Sequence, residues 1–284
     1  MPFCEFREGK IHYRLNGKGR AVVLLHGFLE SEKIWEYHAK LLSENYKVVC
    51  IDLPGHGKSD CFGYVHSMEL MADSVNEVLR SLGLRRYVMI GHSMGGYVAL
   101  AYAEKYPAHL KGLALFQSTS LADSPEKQAD RDRVAKLIPA KKEAFIQEAI
   151  PRLFASSFIK RHPEWPKRLI AMAMETSHRG IIAATLGMKN RKSSIELIRK
   201  LKCPIALIQG RHDKILPPKI HQELWKEAST GQLYLLDSSG HIGMIEEPEK
   251  TLEHLKNFIR LSHKKEREHV TTINKNRKRI KTTA

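Results

Sequence analysis

A chain of 284 residues, 42% hydrophobic and 27% charged, has the balance of a globular protein with enough apolar surface for a sizeable core, which excludes a disordered or fibrous chain. No apolar stretch approaches the length that spans a bilayer, and the first ten residues lack the apolar segment of a secretory signal. Cys4, Cys50, Cys61 and Cys203 show no metal-ligand spacing, so a reducing, cytoplasmic setting is expected, while a net charge of +16 makes nucleic acid and acidic surfaces contacts to weigh.

In chain order, Phe3 to Phe6 and Ile11 to Leu15, joined through Glu8-Gly9, read as an antiparallel entry hairpin. Apolar runs follow at Val22 to Leu25, Val48 to Ile51, Val88 to Ile90, Leu113 to Phe116, Ile205 to Ile208 and Leu233 to Leu236. Amphipathic stretches predict helices at Glu32 to Ser43, Met68 to Ser81, Met94 to Lys105 and Pro217 to Glu227, with a last one from Pro248 to about Leu261. Short apolar strands alternating with helices predict an α/β fold, a mostly parallel sheet covered on both faces. Between Phe116 and Leu201 the rhythm breaks into helical patterns punctuated by Pro139, Pro151, Pro163 and Pro166, long enough for about four short helices. The expected division is therefore residues 1–118 and 202–262 as the core, 119–201 as a helical insertion and 263–284 as a basic tail.

Residues 91 to 96 read Gly-His-Ser-Met-Gly-Gly, directly after the apolar run that ends at Ile90 and before a predicted helix. A serine that attacks a substrate has to be lifted out of the sheet on a sharp strand-to-helix turn, and Gly91 and Gly95 supply the small neighbours that such a turn needs. The helix behind Ser93 aims its first amides at the place where negative charge develops. Three fixed positions arise by accident in roughly one chain in ten of this length, so the rest of the machinery has to decide. A hydroxyl needs a base, and the base needs a carboxylate to orient it. Downstream, one strand ends at Gly210 and is followed by Asp213; the next ends before Gly240-His241. Both side chains sit past the carboxyl ends of strands, on the sheet edge where Ser93 stands and where open parallel sheets bind ligands.

Together these segments make the chain resemble the α/β-hydrolases, from about residue 3 to residue 262. His26-Gly27-Phe28 after the strand ending at Leu25 matches the family's HG turn. Asp52-Leu-Pro-Gly55-His-Gly57-Lys-Ser59 matches its D-x-x-G-x-G-x-S loop, and Gly210-x-x-Asp213 its acid turn. Gly240-His241, followed by Glu246 and Pro248, matches its histidine turn. The order Ser, Asp, His is the order of that fold.

The resemblance implies a serine hydrolase with Ser93, Asp213 and His241 as its triad and the backbone amides of Phe28 and Met94 as its oxyanion donors, requiring no metal or cofactor. It also implies that the 119–201 insertion is a cap that roofs the site. Phe145, Ile146, Ile150, Leu153, Phe154, Met172, Met174, Ile181 and Ile182 are expected mainly in the cap's core, and Phe154, Met172, Met174 and Met188 among its soft lining. A small-molecule carboxylic ester with a small or medium apolar acyl group is the expected substrate; lactone, thioester and amide variants stay open. Among relatives of this fold, the aspartate-nucleophile dehalogenases and epoxide hydrolases are disfavoured by the serine. The menaquinone-pathway lyases are disfavoured by Tyr97, and a carbon-carbon bond hydrolase is weakened by His92 and Ile242 but stays open. A cofactor-free haloperoxidase or perhydrolase, a carbon-carbon bond hydrolase and a ligand-sensing receptor with little turnover are the remaining alternatives.

His26 and His56 belong to family-like turns and are read as structural, His92 as the variable elbow position, and His212 as pointing away from His241. Asp237 is the runner-up carboxylate. The tail carries Lys264, Lys265, Arg267, Lys275, Arg277, Lys278, Arg279 and Lys281 against Glu266 and Glu268, but no aromatic residue to stack on a base. A solvated extension is expected there rather than a nucleic-acid or membrane-surface module.

Overall fold

The apolar runs pair into a single sheet of eight strands: β1 (Phe3–Phe6), β2 (Gly9–Asn16), β3 (Ala21–Leu25), β4 (Lys47–Ile51), β5 (Tyr87–His92), β6 (Leu110–Phe116), β7 (Ile205–Gly210) and β8 (Gly231–Leu236). The computed structural model describes residues 2–216 and 231–264. The predicted helix at Pro217 to Glu227 and the tail from residue 265 lie outside the described residues. Strand order is β1-β2-β4-β3-β5-β6-β7-β8; β1 with β2 and β2 with β4 are antiparallel, and every other pair is parallel.

Strands β3, β5, β6 and β7 are buried at every position, as parallel strands covered on both faces must be. Successive side chains go to opposite faces. Val23, Leu25, Met89, Leu113, Leu115 and Leu207 join one core, while Val22, Leu24, Val88, Ile90, Ala114, Phe116 and Ile208 join the other. The first core is closed by α2 (Met68–Ser81) and α3 (Met94–Lys105). In α2, Met68, Met71, Ala72, Val75, Val78 and Leu79 recur at helical spacing and are buried, each large apolar side chain contributing roughly 1.5–3 kcal/mol. Its start is set by Ser67, whose hydroxyl accepts from the Leu70 amide at 3.1 Å. On the other face, α1 (Glu36–Leu42) and the closing helix over 248–264 pack Ala39, Leu42, Leu255, Phe258 and Ile259 against the sheet. The predicted helix from Glu32 begins instead as a 3-10 turn, Glu32–Trp35, that seats the fully buried Trp35 before α1 starts.

The segment between β6 and β7 contains no strand. It holds α4 (Pro125–Ala149), a 3-10 turn at Ile150–Leu153, α5 (Ser156–Arg161), α6 (Glu164–Met174), α7 (His178–Lys189) and α8 (Ile195–Lys200). This is one more helix than expected, and the first runs for 25 residues. Pro139 does not end α4: the chain bends two residues later, where Lys141 leaves helical geometry (φ −136°, ψ 33°), and then resumes. α7 docks on the loop that follows β4, where His66 N donates to Ala183 O at 2.9 Å. A side chain at Gly180 or Gly187 would collide with the backbone of Gly55 or His66, so these glycines permit the close approach. No described helix is long and apolar enough to cross a membrane.

Burial also forces several histidines to stay neutral. It pushes His38 and His66 down to about 4 and His56 to about 3, against one weak backbone acceptor each. Below pH 6.5 the unfolded chain binds protons at these three sites that the native chain refuses, so stability falls with pH by about 1.4 kcal/mol per unit per histidine. Thermal melts are expected to show a marked loss of Tm between pH 7 and pH 5, three such rings outweighing the opposite effect of the buried Glu246 carboxyl. An unchanged Tm across that interval in a Glu246→Gln variant, which lacks that offset, would mean that these rings are protonated in the folded protein.

Candidate active site

At the carboxyl edge of the sheet, four loops converge. Ser93 follows β5 with φ 47° and ψ −113°, a conformation that costs a side-chain-bearing residue about 1–3 kcal/mol. The turn is held by what surrounds it: Ser93 N donates to Phe116 O at 3.0 Å, and the Ser93 carbonyl accepts from Gly96 N at 2.9 Å and the Ser118 hydroxyl at 2.7 Å. A Cβ at Gly91 would strike Gly95 O, and one at Gly95 would stand 2.6 Å from the carbonyls of Leu25 and His26. Both glycines are therefore obligatory for steric reasons.

His241, beyond β8, brings Nε2 to 2.9 Å from Ser93 Oγ, and its Nδ1 lies 2.7 Å from Asp213 Oδ2. The carboxylate fixes the tautomer: Nδ1 carries the hydrogen, leaving Nε2 to accept the serine proton. Asp213 Oδ1 accepts from the amides of Ile215 (2.8 Å) and Leu216 (3.0 Å). Burial opposes its charge, but the His241 ring and these amides outweigh burial and hold the carboxyl below the ordinary aspartate range. The three residues singled out in the sequence are thus in hydrogen-bond contact. Asp237 is elsewhere, exposed and paired with Arg211 at 2.7 Å, and His212 is exposed.

Between β3 and the 3-10 turn, His26-Gly27-Phe28-Leu29-Glu30 forms one wall, with Leu29 at φ 64°. Neither the Phe28 nor the Met94 amide donates to an acceptor among the described residues. Both remain available to a ligand. His26 is structural: Nδ1 donates to Gly27 O (2.7 Å) and Nε2 accepts from Leu53 N (2.9 Å), a neutral ring whose burial disfavours protonation. Asp52 binds His12 Nδ1 (2.7 Å) and the amides of Glu32 (2.7 Å) and Lys58 (3.0 Å), shaping its loop without touching Ser93.

Sequence reasoning missed the scaffold behind His241. His92 is fully buried; Nε2 donates to the His241 carbonyl at 2.8 Å and Nδ1 lies 3.0 Å from Glu30 Oε2. With a carbonyl on one nitrogen and a carboxylate on the other, both nitrogens carry hydrogen. Burial works against that charge, yet Glu30 and the carbonyl raise the His92 pKa, while His92 and the Gly27 amide (2.6 Å) lower that of Glu30. The stabilisation His92 contributes is accordingly lost as pH rises through its raised pKa, the opposite sense to His38, His56 and His66. Gln117 (φ 45°) ties the same loop, its amide donating to Gly240 O and its Oε1 accepting from Gly243 N at 2.9 Å. Glu246 accepts from Gly240, Ile242 and Ala155 amides, with burial pushing its carboxyl up to about 7. Only Glu246 carried a signal, through the family-like histidine turn.

A cavity of roughly 150 Å³ opens onto Ser93 and His241. Phe28, Leu29, Tyr97, Phe145, Ala149, Ile150, Leu153, Met188 and Ile215 supply its apolar wall. Of the four residues expected to form a soft lining, Met188 alone lines it. Phe154 is stacked on Phe158 in the core (ring centroids 5.7 Å), and Met172 and Met174, on α6, pack against that same core.

A family model described as alpha/beta hydrolase fold matches residues 20–248. AB hydrolase superfamily protein YisY of Bacillus subtilis is 27% identical over 243 residues, 82% of this chain and 89% of that protein. Monoacylglycerol lipase abhd6-B of Xenopus laevis is 28% identical over 273 residues, 90% and 79% of the two chains. The structure of a thermophilic esterase from Thermogutta terrifontis (malate bound) superposes with a TM-score of 0.87 at 33% identity, covering 90% of this chain and 94% of that one.

Proposed function

We propose that this chain, which belongs to the alpha/beta hydrolase fold family, hydrolyses carboxylic esters with Ser93 as nucleophile, His241 as general base and acid, and Asp213 as the orienting carboxylate. The observation that carries the reading is the unbroken hydrogen-bond chain from Ser93 Oγ through His241 to Asp213, at 2.9 and 2.7 Å, on a turn strained toward an open cavity. Relatives named as an esterase and a monoacylglycerol lipase support ester cleavage.

In this mechanism Ser93 Oγ attacks the acyl carbonyl as its proton passes to His241 Nε2. The oxyanion is received by the free amides of Phe28 and Met94, each such donor being worth about 3–4 kcal/mol in the transition state. Collapse breaks the ester bond and the departing alkoxide takes the proton from His241. Water then gives a proton to His241 and attacks the acyl-enzyme, releasing the acid and restoring Ser93. Residues 119–201 act as the cap: Phe145, Ala149, Ile150, Leu153 and Met188 from that segment enclose the acyl group.

A cavity of roughly 150 Å³ suits a small or medium acyl chain. Measured on p-nitrophenyl acetate, butyrate, octanoate and palmitate, kcat/KM is expected to fall by about tenfold or more from octanoate to palmitate, the cost of leaving methylenes outside the pocket. Activity that climbs steadily to palmitate and jumps at an oil-water interface would overturn the enclosed-pocket reading.

A further inference from the structure

Two cations share the cavity with Ser93 and His241, and ester hydrolysis as written above uses neither. Lys127 and Arg131 stand four residues apart on α4, on one face of the helix, and both line the cavity. They enter from the segment of α4 before its bend at Lys141; the apolar Phe145 and Ala149 come from the segment after it.

The neighbouring carboxylates do not neutralise this pair. Arg131 Nε donates to Asp123 Oδ2 at 3.1 Å, but Asp123, its side chain fully buried, also faces Arg191 Nη2 at 2.7 Å, so one carboxylate serves two guanidiniums. Glu30, the acid on the cavity wall, is taken by the Gly27 amide and His92. The Lys127 ammonium has no hydrogen bond or ion pair among the described residues. Burial and the Arg131 charge both work against its protonated form, and Asp123 offsets them only in part. A half-desolvated ammonium beside a second cation is a cost to the free protein, and an anion between the two would relieve it.

We infer that Lys127 and Arg131 form an anion subsite of the active-site cavity and that the ester cleaved at Ser93 carries a carboxylate. The inference rests on the ester-hydrolase reading and narrows its substrate class: an apolar body against Phe145, Ile150 and Leu153, with a charged end against α4. Arg131, held by Asp123, presents its remaining N–H groups in a fixed direction, while Lys127 acts as a point charge.

The test compares matched esters in a pH-stat at low salt. Monoethyl glutarate against ethyl pentanoate places the charge on the acyl half; carboxymethyl butyrate against propyl butyrate places it on the alcohol half. For at least one pair, kcat/KM of the anionic ester is expected to exceed its neutral partner by about tenfold or more, the worth of a charge-assisted hydrogen bond, and the advantage should shrink as salt is added. Lys127→Gln should cut that anionic-to-neutral ratio about tenfold, and Lys127→Glu should bring it below one. Arg131→Gln should lower the ratio too, with its melting temperature followed because Asp123 loses a partner. The proposal is overturned if neither anionic ester is preferred by the wild type, or if Lys127→Gln leaves the ratio unchanged. Turnover of the neutral esters without an anionic preference removes this inference alone. No turnover of any of the four removes the ester-hydrolase reading, and this one with it.

Discussion

Ser93→Ala is expected to lower kcat on short p-nitrophenyl esters by about 10⁴-fold or more while leaving the melting temperature within a degree or two of the parent, because it removes one oxygen and no packing. In the proposed mechanism this oxygen forms the acyl-enzyme, and its hydrogen-bond partner, His241 Nε2, faces the cavity and can rehydrate. The elbow itself does not depend on that oxygen: Phe116 O, Gly96 N and the Ser118 hydroxyl all bind the Ser93 backbone. Covalent labelling by a fluorophosphonate, read by intact mass, should add one phosphonyl group to the parent and none to the variant. A variant that kept near-normal turnover would falsify the nucleophile assignment.

Asp213→Asn is the second large effect, and its cause is a count of donors. Three hydrogens converge on the carboxylate, from Ile215 N, Leu216 N and His241 Nδ1. Asparagine offers one acceptor oxygen. If that oxygen keeps the two loop amides, its NH₂ meets His241 Nδ1, which must then be the unprotonated nitrogen; the ring hydrogen moves to Nε2, and the base can no longer accept from Ser93. If the amide flips, its NH₂ faces two N–H groups and the loop after β7 is destabilised. Either way kcat is expected to fall by about 10⁴-fold, less so at high pH where hydroxide can substitute for the general base. Parent-like activity with parent-like stability would show that another group orients His241.

The difference between these two residues and the scaffold around them is one of legibility. Ser93, Asp213 and His241 each stand within three residues of a glycine past the end of an apolar run, so local pattern and chain order single them out as candidates. Their distances were not in the pattern; they depend on β5, β7 and β8 lying in register at one sheet edge. Glu30, His92 and Gln117 left no comparable trace. Glu30 lies in a loop with no periodicity, and its meaning comes from a histidine 62 positions later. His92 occupies a place where many side chains would satisfy the turn, and only the arrival of the His241 carbonyl, 149 positions on, makes it a support.

The helical insertion draws the same line. Its helices and their prolines are visible in the sequence, but that α4 runs on past Pro139 and bends only at Lys141 is not. Which of its apolar residues face the substrate was not readable, since burial in a core and burial against a cavity select the same residue types; Phe154 and Met188 are both buried, and only the second lines the pocket. What the sequence by itself determined is the alternation of strand and helix and the glycine-bounded turns that carry the candidate residues, each written in spacings of a few residues. What the tertiary structure alone decided is the electrostatic neighbourhood: His92 charged on Glu30, His56 and His66 kept neutral, and Lys127 beside Arg131 at the cavity. Desolvation and Coulomb interaction depend on distance and burial, and the fold sets both between residues the chain keeps far apart.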